Sequence, residues 1–245
     1  LRTFPVRHRA VGEVACHGDL HCPRQRRRGW LRLHPQSRRA GLLNGGSFSI
    51  AEGGEYAVIA TQGIRMLIRS DQSLLLLIDL QERLAPAIEA IDDVLRHNLW
   101  LVEIAQRLAV PVAATVQYPA GLGPMVPVLG ARIPAENVVE KICFSAAADG
   151  CLETLPAMAR RQVILTGTEA HVCVLQTALG LLALGKEVFV VDEATGSRRA
   201  PDKELALARM RQEGCRIVSR EMVAFEWLLR AGTETFRQVS REFLR

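Results

Sequence analysis

An α/β fold is predicted for residues 66–245: a three-layer αβα sandwich around a mainly parallel, Rossmann-like sheet of about six strands. Two features carry this reading. Short apolar runs without polar interruption end abruptly on polar residues, as residues 74–78 do before Asp79 and 188–191 before Asp192, and such runs are the mark of strands covered on both faces of a parallel sheet. Between them lie longer helical patterns with short connections, the alternation that builds parallel sheets covered by helices. Right-handed crossovers then distribute the helices over both faces.

The elements follow in order. Residues 74–78 form the first strand, and an amphipathic helix over 88–108 leads to Pro111 and a second strand at 112–116. A short strand at 138–139 ends at Glu140-Lys141, and another at 163–165 runs into Thr166-Gly167. An apolar helix over 173–184 is stopped by Gly185, since glycine readily takes the left-handed conformation that ends helices. The strand 188–191, a helix over 201–213 ending at Gly214, the strand 216–218 and a helix over 221–229 complete the pattern.

The chain has 245 residues and a formal net charge of +5, but the charge is uneven. Residues 1–65 hold 11 Arg against four acids (Glu13, Asp19, Glu52, Glu55), whereas the other 180 residues carry 20 basic and 22 acidic side chains. The main domain is therefore not basic, and nucleic acid is not expected as its partner. The first 65 residues show no sustained apolar period, and Met66 is the first methionine. They read as a leader: a misplaced start, an Arg-rich transit segment or a disordered arm for anionic surfaces. Six cysteines without a CxxC pair or zinc spacing point to a reduced, cytoplasmic setting, and no apolar run reaches the roughly 18 to 20 residues that span a bilayer.

Ligands of open α/β sheets bind beyond the carboxyl ends of the strands. Three polar residues stand there: Asp79 after the first strand, Lys141 after the third, and Cys173 at the start of the helix after the fourth. A thiol becomes a nucleophile when a nearby cation and a helix N-terminus favour the thiolate. A carboxylate beside it can take the proton and later deliver it to a leaving group. Each residue also has a plainer reading: buried Cys as packing, Asp as a cap or turn, and Lys as a solvated side chain.

The segments DLQ (79–81), EKICFS (140–145) and GTEAHVCVLQTALGLLALGKEVFVVDEATGSR (167–198) resemble the isochorismatase-like cysteine hydrolases. QYPAGLGP (117–124) and DKELALARMRQEG (202–214) are similar to the isochorismatase-domain-containing subgroup. The resemblance implies a triad of Asp79, Lys141 and Cys173. It also implies a cis peptide between Thr168 and Glu169, and an oxyanion hole from the backbone N–H groups of Glu169 and Cys173. Sister nicotinamidases carry Asp and two His around a metal, with D-x-H after the second strand; here that place reads Val116-Gln117-Tyr118-Pro119, so neither metal nor cofactor is expected. True isochorismatases lack the nucleophilic cysteine. The remaining reaction is hydrolysis of a small amide or related acyl compound through a thioester. Gln81, Tyr118, Phe144 and His171 are candidates for the substrate pocket, with Gln81 alternatively orienting backbone and His171 alternatively structural. Cys143, Cys151 and Cys215 are expected to pack as small apolar residues. A homo-oligomer acting on a small molecule is expected; a catalytically silent interaction protein of the same fold is the alternative.

Overall fold

The computed structural model describes residues 67–244, so the leader reading of residues 1–65 lies outside them. Strand β1 (Ser73–Ile78) is followed by a 3-10 turn at Ala85–Ala87 and helix α1 (Ile91–Arg107). Then come β2 (Val112–Gln117), two single-turn helices α2 (Pro119–Leu122) and α3 (Pro127–Gly130), β3 (Val138–Lys141), and the short α4 (Ala146–Asp149). β4 (Gln162–Thr168), α5 (Leu175–Ala183), β5 (Glu187–Gly196), α6 (Ala200–Gln212), β6 (Arg216–Val218), α7 (Arg220–Leu228) and α8 (Glu234–Phe243) complete the domain.

All six strands are parallel, in the order β3-β2-β1-β4-β5-β6. The order reverses between β1 and β4, and the carboxyl ends of these two neighbours are where sheets of this kind form a ligand crevice. Each β1 side chain from Leu74 to Ile78 is at most 1% exposed, which is why the run is apolar on both faces. Leu75 and Leu77 join one core with α1, α7 and α8, while Leu74, Leu76 and Ile78 join another with α4, α5 and α6. Each such burial contributes about 2 kcal/mol against the cost of ordering the chain.

Gly167 fixes how closely β4 approaches β1 at the crevice. It pairs with Ile78 in the ladder and has φ +106°, and a Cβ there would lie 2.1 Å from the Ile78 carbonyl oxygen. Only glycine permits both that conformation and that approach.

Several bounds differ from the sequence expectation for local reasons. The first helix begins at Ile91 because Ala90 turns left-handed at φ +51°. The helix expected from Cys173 begins instead as a π-helical turn, Ala170–Val174, with α5 proper following at Leu175. β5 continues past Val191 to Gly196 with a shift in register against β4. Helix α8 is an addition: the Thr233 hydroxyl caps it by accepting the Phe236 N–H, and the Trp100 indole N–H donates to the Phe243 carbonyl. Among the described residues no helix is long and apolar enough to cross a membrane.

Candidate active site

The site grows from the end of β1. Asp79 is fully buried and left-handed, with φ +49°, a conformation that Asp tolerates better than most residues because its short polar side chain bonds locally. Three neighbours hold it. Its Oδ1 accepts the Thr115 hydroxyl at 2.6 Å, its Oδ2 accepts Lys141 Nζ at 2.7 Å, and its carbonyl accepts the Thr168 hydroxyl at 2.9 Å. β2, β3 and β4 thus each supply one side-chain contact.

Neither the Lys141 nor the Asp79 side chain has any exposure. Two buried charges are tolerated only when paired and fully hydrogen-bonded. The Lys141 ammonium meets this condition: besides Asp79 it donates to Gln117 Oε1 at 2.5 Å, to the Phe144 carbonyl at 3.2 Å and, more weakly, to the Cys143 carbonyl at 3.4 Å. Its three protons are all engaged, so it acts as a fixed charge.

Cys173 lies in the π-helical turn and is 6% exposed. Its thiol is pushed up to about 12, chiefly by burial and next by the Asp79 carboxylate, with Lys141 pulling weakly the other way. Burial thus acts against the cation that the sequence reading expected to favour the thiolate. The Asp79 carboxylate and the Lys141 ammonium both act on this thiol. The structure therefore brings Asp79, Lys141 and Cys173 together.

The peptide between Thr168 and Glu169 is cis. The Glu169 carboxylate turns away to accept Arg198 Nε at 3.0 Å. His171 Nδ1 is 3.1 Å from the Ser197 hydroxyl, tying the turn to the end of β5. Gln81 is fully buried and braces backbone rather than facing a pocket: it donates to the carbonyls of Gln117 and Gly123 and accepts the Gln117 N–H. Tyr118 and Phe144 are 54% and 53% exposed in the single chain. Tyr118 adjoins the Lys141 loop through its N–H, which donates to the Lys141 carbonyl at 2.9 Å. Of the other thiols, Cys215 is buried and Cys151 half-buried, but Cys143 is exposed and does not pack as expected. Among the described residues no cluster of three or more His, Cys, Asp or Glu side chains has the arrangement to hold a metal ion.

Sequence reading missed Thr115 and Gln117. Gln117 carried a usable signal, being the polar residue at the carboxyl end of β2; Thr115 is masked inside an apolar strand.

An all-parallel αβα domain with a buried Asp-Lys pair and a thiol at its switch point has the architecture of the isochorismatase-like hydrolases. Residues 73–222 match the isochorismatase domain, and the chain belongs to that family. Isochorismatase domain-containing protein 2A of Mus musculus is 36% identical over 174 residues, covering 71% of this chain and 84% of that protein. The structure described as the MAR1 ribonuclease from Caenorhabditis elegans superposes with a TM-score of 0.67 at 34% identity, covering 73% of this chain and 93% of that one. The YcaC gene product from Escherichia coli, described as an octameric hydrolase of unknown specificity, superposes with a TM-score of 0.63 at 26% identity, covering 67% and 83%.

Proposed function

We propose that the protein hydrolyses a small amide or related acyl compound through a thioester on Cys173. The observation that carries this reading is the Cys173 thiol lying in the field of a buried Asp79–Lys141 pair whose charged atoms are 2.7 Å apart. In the first step Sγ bonds to the acyl carbon as the thiol proton moves to Asp79, and the carbonyl electron pair becomes an oxyanion. The N–H groups of Glu169 and Cys173 are its donors, an arrangement worth about 3 kcal/mol per donor in other enzymes. Collapse breaks the C–N bond, and the amine leaves with the proton from Asp79. Water then attacks the thioester, giving its proton to Asp79. The acid and the thiol are regenerated. Lys141 keeps Asp79 aimed and compensates its charge throughout.

A small-molecule substrate suits this chemistry better than RNA, because residues 66–245 carry slightly more acids than bases. Assembly into oligomers is supported by the octameric YcaC relative and by the exposed apolar side chains of Leu184, Leu205, Phe225 and Leu229. The four cysteines of the described residues are free, which suits a reducing compartment.

The test is a panel of small amides assayed for ammonia release, with intact-mass detection of an acyl adduct on Cys173 after rapid quenching. Turnover with an adduct at Cys173 supports the reading. Turnover that persists in a folded Cys173→Ala protein overturns it.

A further inference from the structure

An unbroken hydrogen-bond path joins a surface carboxylate to the buried ammonium. Asp149, at the end of α4, is partly exposed. Its Oδ2 accepts the N–H of Cys143 at 2.8 Å and of Ile142 at 3.0 Å. The peptide that carries the Cys143 N–H has the Ile142 carbonyl at its other end, and this oxygen accepts Gln117 Nε2 at 2.6 Å. Gln117 Oε1 in turn accepts Lys141 Nζ at 2.5 Å, and Nζ donates to Asp79 at 2.7 Å.

The Gln117 amide has only one orientation consistent with these partners. Reversed, it would set an NH2 group against the ammonium and an oxygen against the Ile142 carbonyl. Its backbone is fixed as well, since Gln81 accepts the Gln117 N–H at 2.8 Å and donates to the Gln117 carbonyl at 3.0 Å. The peptide and the side-chain amide therefore point their negative ends the same way, from Asp149 toward Lys141. Aligned amides polarise one another in a low-dielectric interior. The Cys143 and Phe144 carbonyls, on the loop that Asp149 clamps, take the remaining ammonium proton.

We infer that Asp149 is a positioning residue for the triad, holding Lys141 against Asp79 through the 142–144 loop and the Gln117 amide. This rests on the proposed role of Cys173, and the two separate in experiment. Two effects of removing Asp149 oppose each other. Through space, losing an anion makes the Cys173 thiol easier to ionise. Through the relay, losing the clamp frees the ammonium from its cage and makes the thiol harder to ionise.

The experiment follows alkylation of Cys173 by iodoacetamide between pH 7 and pH 10 in the full chain, read by peptide mass spectrometry. In Asp149→Ala the rate at a given pH falls about three- to tenfold, the effect of a rise of about half to one unit in thiol pKa. Asp149→Asn, which keeps an acceptor oxygen without the charge, falls between Asp149→Ala and the parent. Gln117→Ala matches Asp149→Ala, and the double variant is no slower than the slower single one, because both cut the same path. An unchanged or faster rate in Asp149→Ala overturns the inference, as does full additivity in the double variant. Absence of turnover on every amide would count against the proposed reaction but would leave this measurement intact, since alkylation requires no substrate.

Discussion

Lys141 Nζ stands 2.7 Å from Asp79 Oδ2 with both side chains wholly removed from solvent, so each charge is tolerable only because of the other. Removing one partner of such a pair leaves an uncompensated buried charge, at a cost of about 3 to 5 kcal/mol. Lys141→Ala is expected to lose that much stability in urea unfolding. A loss under about 1 kcal/mol would mean that water reaches Asp79, and that the pair is less buried than its geometry indicates.

Gly167 gives an independent test of the crevice. With φ +106° and the Ile78 carbonyl oxygen 2.1 Å from the place of a Cβ, Gly167→Ala combines a disfavoured backbone with a steric clash. A loss of at least about 3 kcal/mol is expected by the addition of these two effects. Gly185, which has nothing within 4 Å of its Cβ position, is the control, and Gly185→Ala is expected to cost only about 1 kcal/mol for the left-handed conformation.

Much of this fold was legible because the strands of a parallel sheet are buried on both faces, and the chain marks them with runs such as 74–78 and 188–191. Asp79 and Lys141 were legible because they end such strands. Thr115 and Gln117 were not singled out: one lies within an apolar strand and the other carries no chemistry alone, and both matter only through what β1 and β3 place beside them. Asp149 was beyond reach for the same reason, since its role depends on the loop it clamps. The burial that pushes the Cys173 thiol up was not legible either, because it is a property of the folded neighbourhood. Helix α8 was missed although Thr233 and the apolar spacing Phe236, Val239, Phe243 were available.

Three thiols make stability fall in alkali. Burial, reinforced by Asp79, pushes Cys173 up to about 12; burial with Asp149 and burial with Glu213 push Cys151 and Cys215 up to about 11. Unfolded thiols titrate near 9.0, so between pH 9 and these values the folded state binds more protons, and stability declines as pH rises. Melting temperature is expected to fall from pH 9 to pH 11, and less steeply in Cys151→Ala/Cys215→Ala. Equal slopes would mean that other groups control alkaline unfolding.

The same burial ranks the thiols by reactivity. Cys143 is exposed, whereas Cys173 is 6% exposed and burial pushes its thiol up to about 12. Iodoacetamide at pH 7 is expected to label Cys143 first in the free protein, with Cys173 rising about tenfold per pH unit up to pH 10 because only the thiolate reacts. Fast labelling of Cys173 at pH 7 with no pH dependence would show a resting thiolate and remove the need for Asp79 as base.

The proton path yields the last prediction. In the proposed reaction the Cys173 thiol must lose its proton during attack, and the proposed acceptor is Asp79, which is paired with Lys141. Cys173→Ala is expected to abolish turnover of any amide found. Asp79→Asn keeps the size of the side chain but cannot take the proton, and acylation should slow by a factor of roughly 100 or more, the scale of general-base catalysis. Because Asp79→Asn also leaves Lys141 without its counter-ion, stability must be measured alongside, and rates compared at a temperature where both proteins are folded. Thr115→Val provides the contrast: it removes the 2.6 Å hydrogen bond to Asp79 Oδ1 but leaves the carboxylate, so the rate should fall far less than in Asp79→Asn. Equal losses in the two variants would mean that aiming the carboxylate, and not its basicity, governs the step. A folded Asp79→Asn protein with undiminished acylation would exclude Asp79 as the base.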